Sequence, residues 1–110
     1  MSEQTGQQDG NGTSSALVVD ADRWHDLRVW DTPGSASVDF DGGTVSLEEQ
    51  VDVAENVWVP VRGSDGNTKT LAKSGGFQFC PAGSQVRVVL AGGGVDADVS
   101  FRVNRVKETR

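Results

Sequence analysis

Apolar and polar residues alternate with period two over residues 36–40, 45–53, 57–61 and 86–90, and residues 99–103 repeat the pattern. Successive side chains of a β-strand point to opposite faces, so this alternation describes half-buried antiparallel strands rather than helices. Most of these runs end in a glycine-rich turn, such as Asp41-Gly42-Gly43, Pro81-Ala82-Gly83-Ser84 or Gly92-Gly93-Gly94. The expected inward rows are Ala36, Val38 and Phe40; Val45 and Leu47; Val57, Val59 and Val61; Val86, Val88 and Leu90; and Val99, Phe101 and Val103. Asp41-Gly42-Gly43 and the triple glycine read as hairpin turns, because such turns need residues that tolerate positive φ. Glu49 falls on the inward side of its run, which calls for a bulge or strand end nearby. Pro60 donates no ladder hydrogen bond and points to an edge strand. Shorter strands are expected at residues 16–19 and 68–72 and at Phe77–Phe79. About seven to eight short strands result, predicting an all-β, small antiparallel β-sandwich, jelly-roll or immunoglobulin-like.

With 110 residues the chain makes at most one domain. Residues 1–15 offer only Met1 as a large apolar side chain, so they read as a disordered, flexible polar arm. The sandwich domain is expected over 16–106, with a basic C-terminal tail at 107–110. No apolar run is long enough to cross a bilayer, and the N-terminus lacks the basic and apolar segments of a secretory leader. The glycosylation sequon Asn11-Gly12-Thr13 therefore carries little weight.

Charge is divided unevenly along the chain. Residues 1–55 hold 12 acids and 2 bases, whereas residues 56–110 hold 4 acids and 8 bases. The net charge of −6 argues against nucleic acid as a partner, since phosphate neutralisation drives that binding. Arg102, Arg105, Lys107 and Arg110 form a basic C-terminal cluster suited to an acidic protein surface or to the acidic half of a neighbouring copy.

Catalytic machinery is not evident. The single histidine, His25, precedes Asp26, a pair too small to define an active site, and it reads as a solvent-facing structural residue. Cys80 is the only cysteine, which excludes an internal disulfide, and it reads as a small buried hydrophobe. Asp20/Asp22, Asp39/Asp41 and Asp96/Asp98 place carboxylates at alternate positions, as hard-cation loops do, but without EF-hand spacing. No metal, cofactor or enzymatic activity is expected. Trp30 lies opposite Leu27 and Val29 if the chain runs as a strand there, and Trp58 lies opposite Val57, Val59 and Val61. An outward tryptophan anchors protein interfaces and also stacks on sugar rings.

The runs Val38-Asp39-Phe40-Asp41-Gly42-Gly43-Thr44-Val45-Ser46-Leu47-Glu48, Val57-Trp58-Val59-Pro60-Val61, Gly76-Phe77-Gln78-Phe79 and Pro81-Ala82-Gly83-Ser84-Gln85-Val86-Arg87-Val88-Val89-Leu90 resemble small all-β virion proteins of tailed bacteriophages. These proteins decorate the head or form short fibres, and the resemblance covers roughly residues 24–104. It implies a non-enzymatic virion protein assembled in the host cytoplasm, most simply a capsid decoration or cement protein. The implied partner is the major capsid protein or another virion protein, with no membrane and no nucleic acid. Self-association, including a trimer, is implied as well. Trp30, Trp58, Arg102, Arg105 and Lys107 are the expected contact residues. The alternative is a carbohydrate-binding, lectin-like sandwich module centred on Trp58.

Overall fold

The computed structural model describes residues 3–106. Its strands are β1 (Gln4–Asp9), β2 (Gly12–Thr13), β3 (Leu17–Val18), β4 (His25–Asp31), β5 (Thr44–Asp52), β6 (Val57–Pro60), β7 (Thr70–Leu71), β8 (Gly75–Phe79), β9 (Gln85–Ala91) and β10 (Asp98–Arg105). They form two antiparallel sheets. One has the order β1-β10-β4-β8; the other runs β2-β9-β5-β6, with β3 also on β9 and β7 also on β5.

The pairs β2/β3 and β6/β7 are each two halves of one sheet edge. Counted so, eight strands run first–eighth–third–sixth in one sheet and second–seventh–fourth–fifth in the other. This nested order is that of a jelly roll. In an immunoglobulin-like domain the first two strands are neighbours in one sheet, whereas here β1 and β2 belong to different sheets.

The alternating rows meet between the sheets. Leu27 and Val29, Val45 and Leu47, Val86, Val88 and Leu90, and Val99, Phe101 and Val103 are all buried. Each such side chain contributes about 1.5–3 kcal/mol by leaving water. Glu49 lies in the inward row, as its parity requires, and is 8% exposed. Its Oε1 accepts hydrogen bonds from the backbone N–H groups of Ala82 (2.8 Å) and Gly83 (3.2 Å). The expected irregularity follows at once, as a register shift between Gln50 and Asp52. Beyond it Val51 and Val53 are exposed, and of the next row Val61 is buried while Val57 is exposed.

Three segments depart from the sequence reading. First, residues 36–40 are not a strand. Val38 is 72% exposed, and Asp39–Gly42 make a helical turn of left-handed residues with φ of 48°, 59°, 51° and 82°. The Asp31 carboxylate overrides the alternation. Its Oδ1 accepts from Ser37 Oγ (2.7 Å) and Phe40 N–H (2.9 Å), and its Oδ2 accepts from Asp39 N–H (3.0 Å). Left-handed backbone is costly for a bulky residue; here it turns the Phe40 ring fully into the core.

Second, Gly92-Gly93-Gly94 does not close a hairpin, nor does Asp41-Gly42-Gly43. β9 and β10 lie in different sheets, as do β4 and β5, so both loops cross the same end of the sandwich. They pack so closely that a Cβ on Gly93 would lie 2.7 Å from Ala97 Cβ, and one on Gly94 would lie 2.4 Å from Asp41 Oδ2. Close approach requires Gly93 and Gly94, and a φ of 72° favours glycine at position 92.

Third, most of the expected flexible arm is sheet. From Gln4 to Asp9 the chain pairs in register with β10, and Gly12–Thr13 pairs with β9. Main-chain hydrogen bonding, which needs no apolar side chain, holds β1 in place. Gly6 lies against Phe101, where a Cβ would sit 2.6 Å from the ring.

Candidate functional site

Strand parity gives each sheet an outer face, and the two faces differ. On the four-stranded sheet, Asp26, Arg28 and Trp30 of β4 point away from the core, alternating with buried His25, Leu27 and Val29. β10 contributes Ser100, Arg102 and Asn104 to the same face, and β1 contributes Thr5 and Gln7. In the ladder Ser100 opposes Trp30, and Arg102 directly opposes Arg28. Arg28 Nε lies 3.3 Å from Asp26 Oδ2, and Arg102 Nε lies 3.5 Å from Glu3 Oε2. Arg102 Nε is shielded from solvent and has no hydrogen-bond partner among the described residues. Like charges directly opposite one another in a ladder repel.

The outer face of the six-stranded sheet satisfies itself. The Arg87 guanidinium lies 4.2 Å from the centre of the Trp58 ring. Its Nε donates to Glu48 Oε1 at 2.8 Å, and its second nitrogen lies 2.7 Å from the same oxygen. Trp58 Nε1 donates to Asn56 Oδ1 (2.9 Å), which also accepts from Gln50 Nε2 (2.9 Å). One face of the Trp58 ring is therefore already covered by a cation.

Trp30 and Arg102 are thus diagonal neighbours on one face, while Trp58 stands on the opposite face of the sandwich. Arg105 follows the inward parity, opposite His25 at the end of the ladder, and reaches Asp20 Oδ2 at 3.5 Å. Lys107 and Arg110 lie outside the described residues. The basic C-terminal cluster is therefore divided, with Arg102 and Arg105 on opposite sides of β10. Arg28, on the Trp30 face, and Arg87, over the Trp58 ring, are the arginines that sequence reasoning missed. The parity of β4, which puts Arg28 on the Trp30 side, was the available signal for Arg28.

His25 is buried rather than solvent-facing. Its Nδ1–H donates to the Arg23 carbonyl at 2.8 Å, its Nε2 accepts the Asp20 N–H at 3.2 Å, and its ring stacks on Phe79. Burial holds the imidazole below its ordinary value of 6.5, so it is a neutral structural bridge with both nitrogens occupied. Asp26 points to the other side of the sheet, which separates the two members of the His–Asp pair. Cys80 is exposed rather than buried. Partial desolvation, then the Asp22 and Glu49 carboxylates, push its thiol up.

No group of three or more His, Cys, Asp and Glu side chains is placed to hold a metal ion among the described residues. Asp31 and Asp41 instead accept backbone N–H groups, Asp41 from Asp96 (3.0 Å). No pocket opens on the described surface, and no described helix is long and apolar enough to cross a membrane. What the arrangement offers chemically is a flat face carrying one tryptophan and two opposed guanidinium groups. No family model, curated protein or solved structure matches this chain.

Proposed function

We propose that this protein is a non-enzymatic structural component of a tailed-phage virion, a head decoration or cement protein that docks on the assembled capsid shell. The observation that carries this reading is the outer face of the four-stranded sheet, where Trp30 adjoins the opposed pair Arg28 and Arg102. Tryptophan and arginine are the residues most enriched at energetic centres of protein interfaces. A carboxylate presented by the shell would relieve the repulsion between the two guanidinium groups and bond them in bidentate fashion. The jelly roll is a fold of viral capsid domains, which agrees with the resemblance in the glycine-turn and Val/Arg runs. Many copies on one shell raise the effective affinity of a modest contact.

Lectins also use jelly rolls, but a sugar stacking on Trp58 would have to displace Arg87 or use the ring's other side. The test is co-sedimentation of the purified protein with expanded capsids of the virus that carries this gene, stripped of decoration. Saturable binding that falls at least tenfold in Arg102→Ala supports the proposal. Absence of binding, together with glycan binding lost in Trp58→Ala, would overturn it in favour of the sugar-binding module.

A further inference from the structure

A sandwich of two open sheets has four edges, and three of these are blunted. The β2/β3 edge is interrupted by residues 14–16, and the β6/β7 edge contains Pro60 and is broken between its two strands. β8 is bridged at Phe79 by Gly63. The fourth edge, β1, runs unbroken through Gln4-Thr5-Gly6-Gln7-Gln8-Asp9 with no proline, lysine, arginine or bulge. Such an edge is a template for another strand.

The hydrogen-bond phase of β1 fixes what it offers. Gly10 N–H donates to the Ala97 carbonyl (2.8 Å), continuing the β1–β10 register. Alternation along the ladder then directs the N–H and C=O groups of Gln4, Gly6 and Gln8 toward β10. Those of Thr5, Gln7 and Asp9 point away from it.

We propose that β1 is a homodimerisation edge. Two copies join by antiparallel β1–β1 pairing about a two-fold axis at Gln7, merging two four-stranded sheets into one continuous sheet. A two-fold normal to the sheet keeps both outer faces on the same side. With Gln7 opposite Gln7 of the second copy, Thr5 opposes the second copy's Asp9, and every outward N–H and C=O of Thr5, Gln7 and Asp9 finds a partner.

Charge selects the same register. On the outer face of one copy, Arg28, Arg102 and Thr5 lie in one row across β4, β10 and β1. In the dimer this row continues into Asp9 and then Asp98 of the second copy, which oppose each other in their own ladder. Two like-charge pairs, each repulsive within its subunit, thereby face one another with opposite sign across the seam. Arg102 and the second copy's Asp9 are separated by two strand spacings, roughly 10 Å, which their extended side chains span together. A slip of two residues either way removes this match. The closure is at two copies, not the trimer that the family resemblance allows, and it does not depend on shell docking.

The test is solution mass by sedimentation equilibrium across a wide concentration range. A reversible dimer is expected, weakening with added salt. Gln7→Pro removes an N–H that points off the ladder and leaves the β1–β10 main-chain bonds intact, losing within the subunit only the exposed Gln7 Nε2–Asp98 Oδ1 hydrogen bond; it should weaken association at least tenfold with thermal unfolding retained. As a second arm, in a Cys80→Ser background, Gln7→Cys should cross-link on oxidation, because a directly opposed pair has a Cα separation of about 5.5 Å. Thr5→Cys should not. A protein that stays monomeric throughout, a trimer indifferent to Gln7→Pro, or equal cross-linking at positions 5 and 7 would each overturn the proposal.

Discussion

The two outer faces of this sandwich carry the same kinds of side chain in opposite states. On the six-stranded sheet, Arg87 lies on Trp58, bonds Glu48, and leaves its surroundings with complementary partners. On the four-stranded sheet, Arg28 stands opposite Arg102 beside Trp30, and the flanking acids Asp26 and Glu3 sit at 3.3 and 3.5 Å. The lesson is that composition does not identify a contact surface. A tryptophan–arginine pair stabilises the monomer where an acid and the ring engage one guanidinium together, and offers binding capacity where two guanidinium groups face each other and their acids lie at longer range.

Four substitutions test that contrast. The largest effect is expected for Trp30→Ala, which should weaken shell docking by about 2 kcal/mol or more. Trp58→Ala should leave docking within twofold of the parent; capsid co-sedimentation of both variants decides, and equal losses would erase the distinction. Next, Trp58→Ala should lower folding stability by about 1–2 kcal/mol, through loss of the cation–π contact and the Asn56 hydrogen bond. Chemical denaturation measures this, and an unchanged midpoint would mean that the Arg87 network contributes nothing. The smallest effect separates two arginines. Arg87→Gln should destabilise by about 0.5–1 kcal/mol, whereas Arg28→Gln should be neutral or stabilising by a few tenths of a kcal/mol. High salt should narrow the gap, and a loss in both variants would remove the like-charge argument.

The parity of β5, β9 and β10 was legible in the sequence, because a buried row facing another buried row leaves an uninterrupted alternation. Trp30 and Trp58 could be set on outer faces for the same reason. Pairing partners were not legible, since alternation says which side a residue faces and not which strand lies beside it. Arg28 is an example: its importance comes from the register that sets it against Arg102. Residues 36–40 carried a strand-like pattern that a single carboxylate, Asp31, outweighs by bonding three donors of the following loop. β1 carried no apolar signal at all, because its place is held by backbone pairing and by the Phe101 ring under Gly6. His25 and Cys80 were each assigned the other's environment, as lone residues without a periodic context readily are.

The nested strand order also has a consequence for how the molecule forms. β1 finds its ladder only on β10, where Gln4 meets Val103 and Asp9 meets Asp98. During synthesis the earliest strand must therefore wait, unpaired, until the latest one has been made. Contacts so distant along the chain are slow to close, and a waiting strand with an unbroken, unprotected edge invites association between nascent chains. The β5–β6 hairpin, joined by the short residue 53–56 turn, can form earliest. Assembly then proceeds outward from the middle of the sandwich, and its first strand is among the last to find its place.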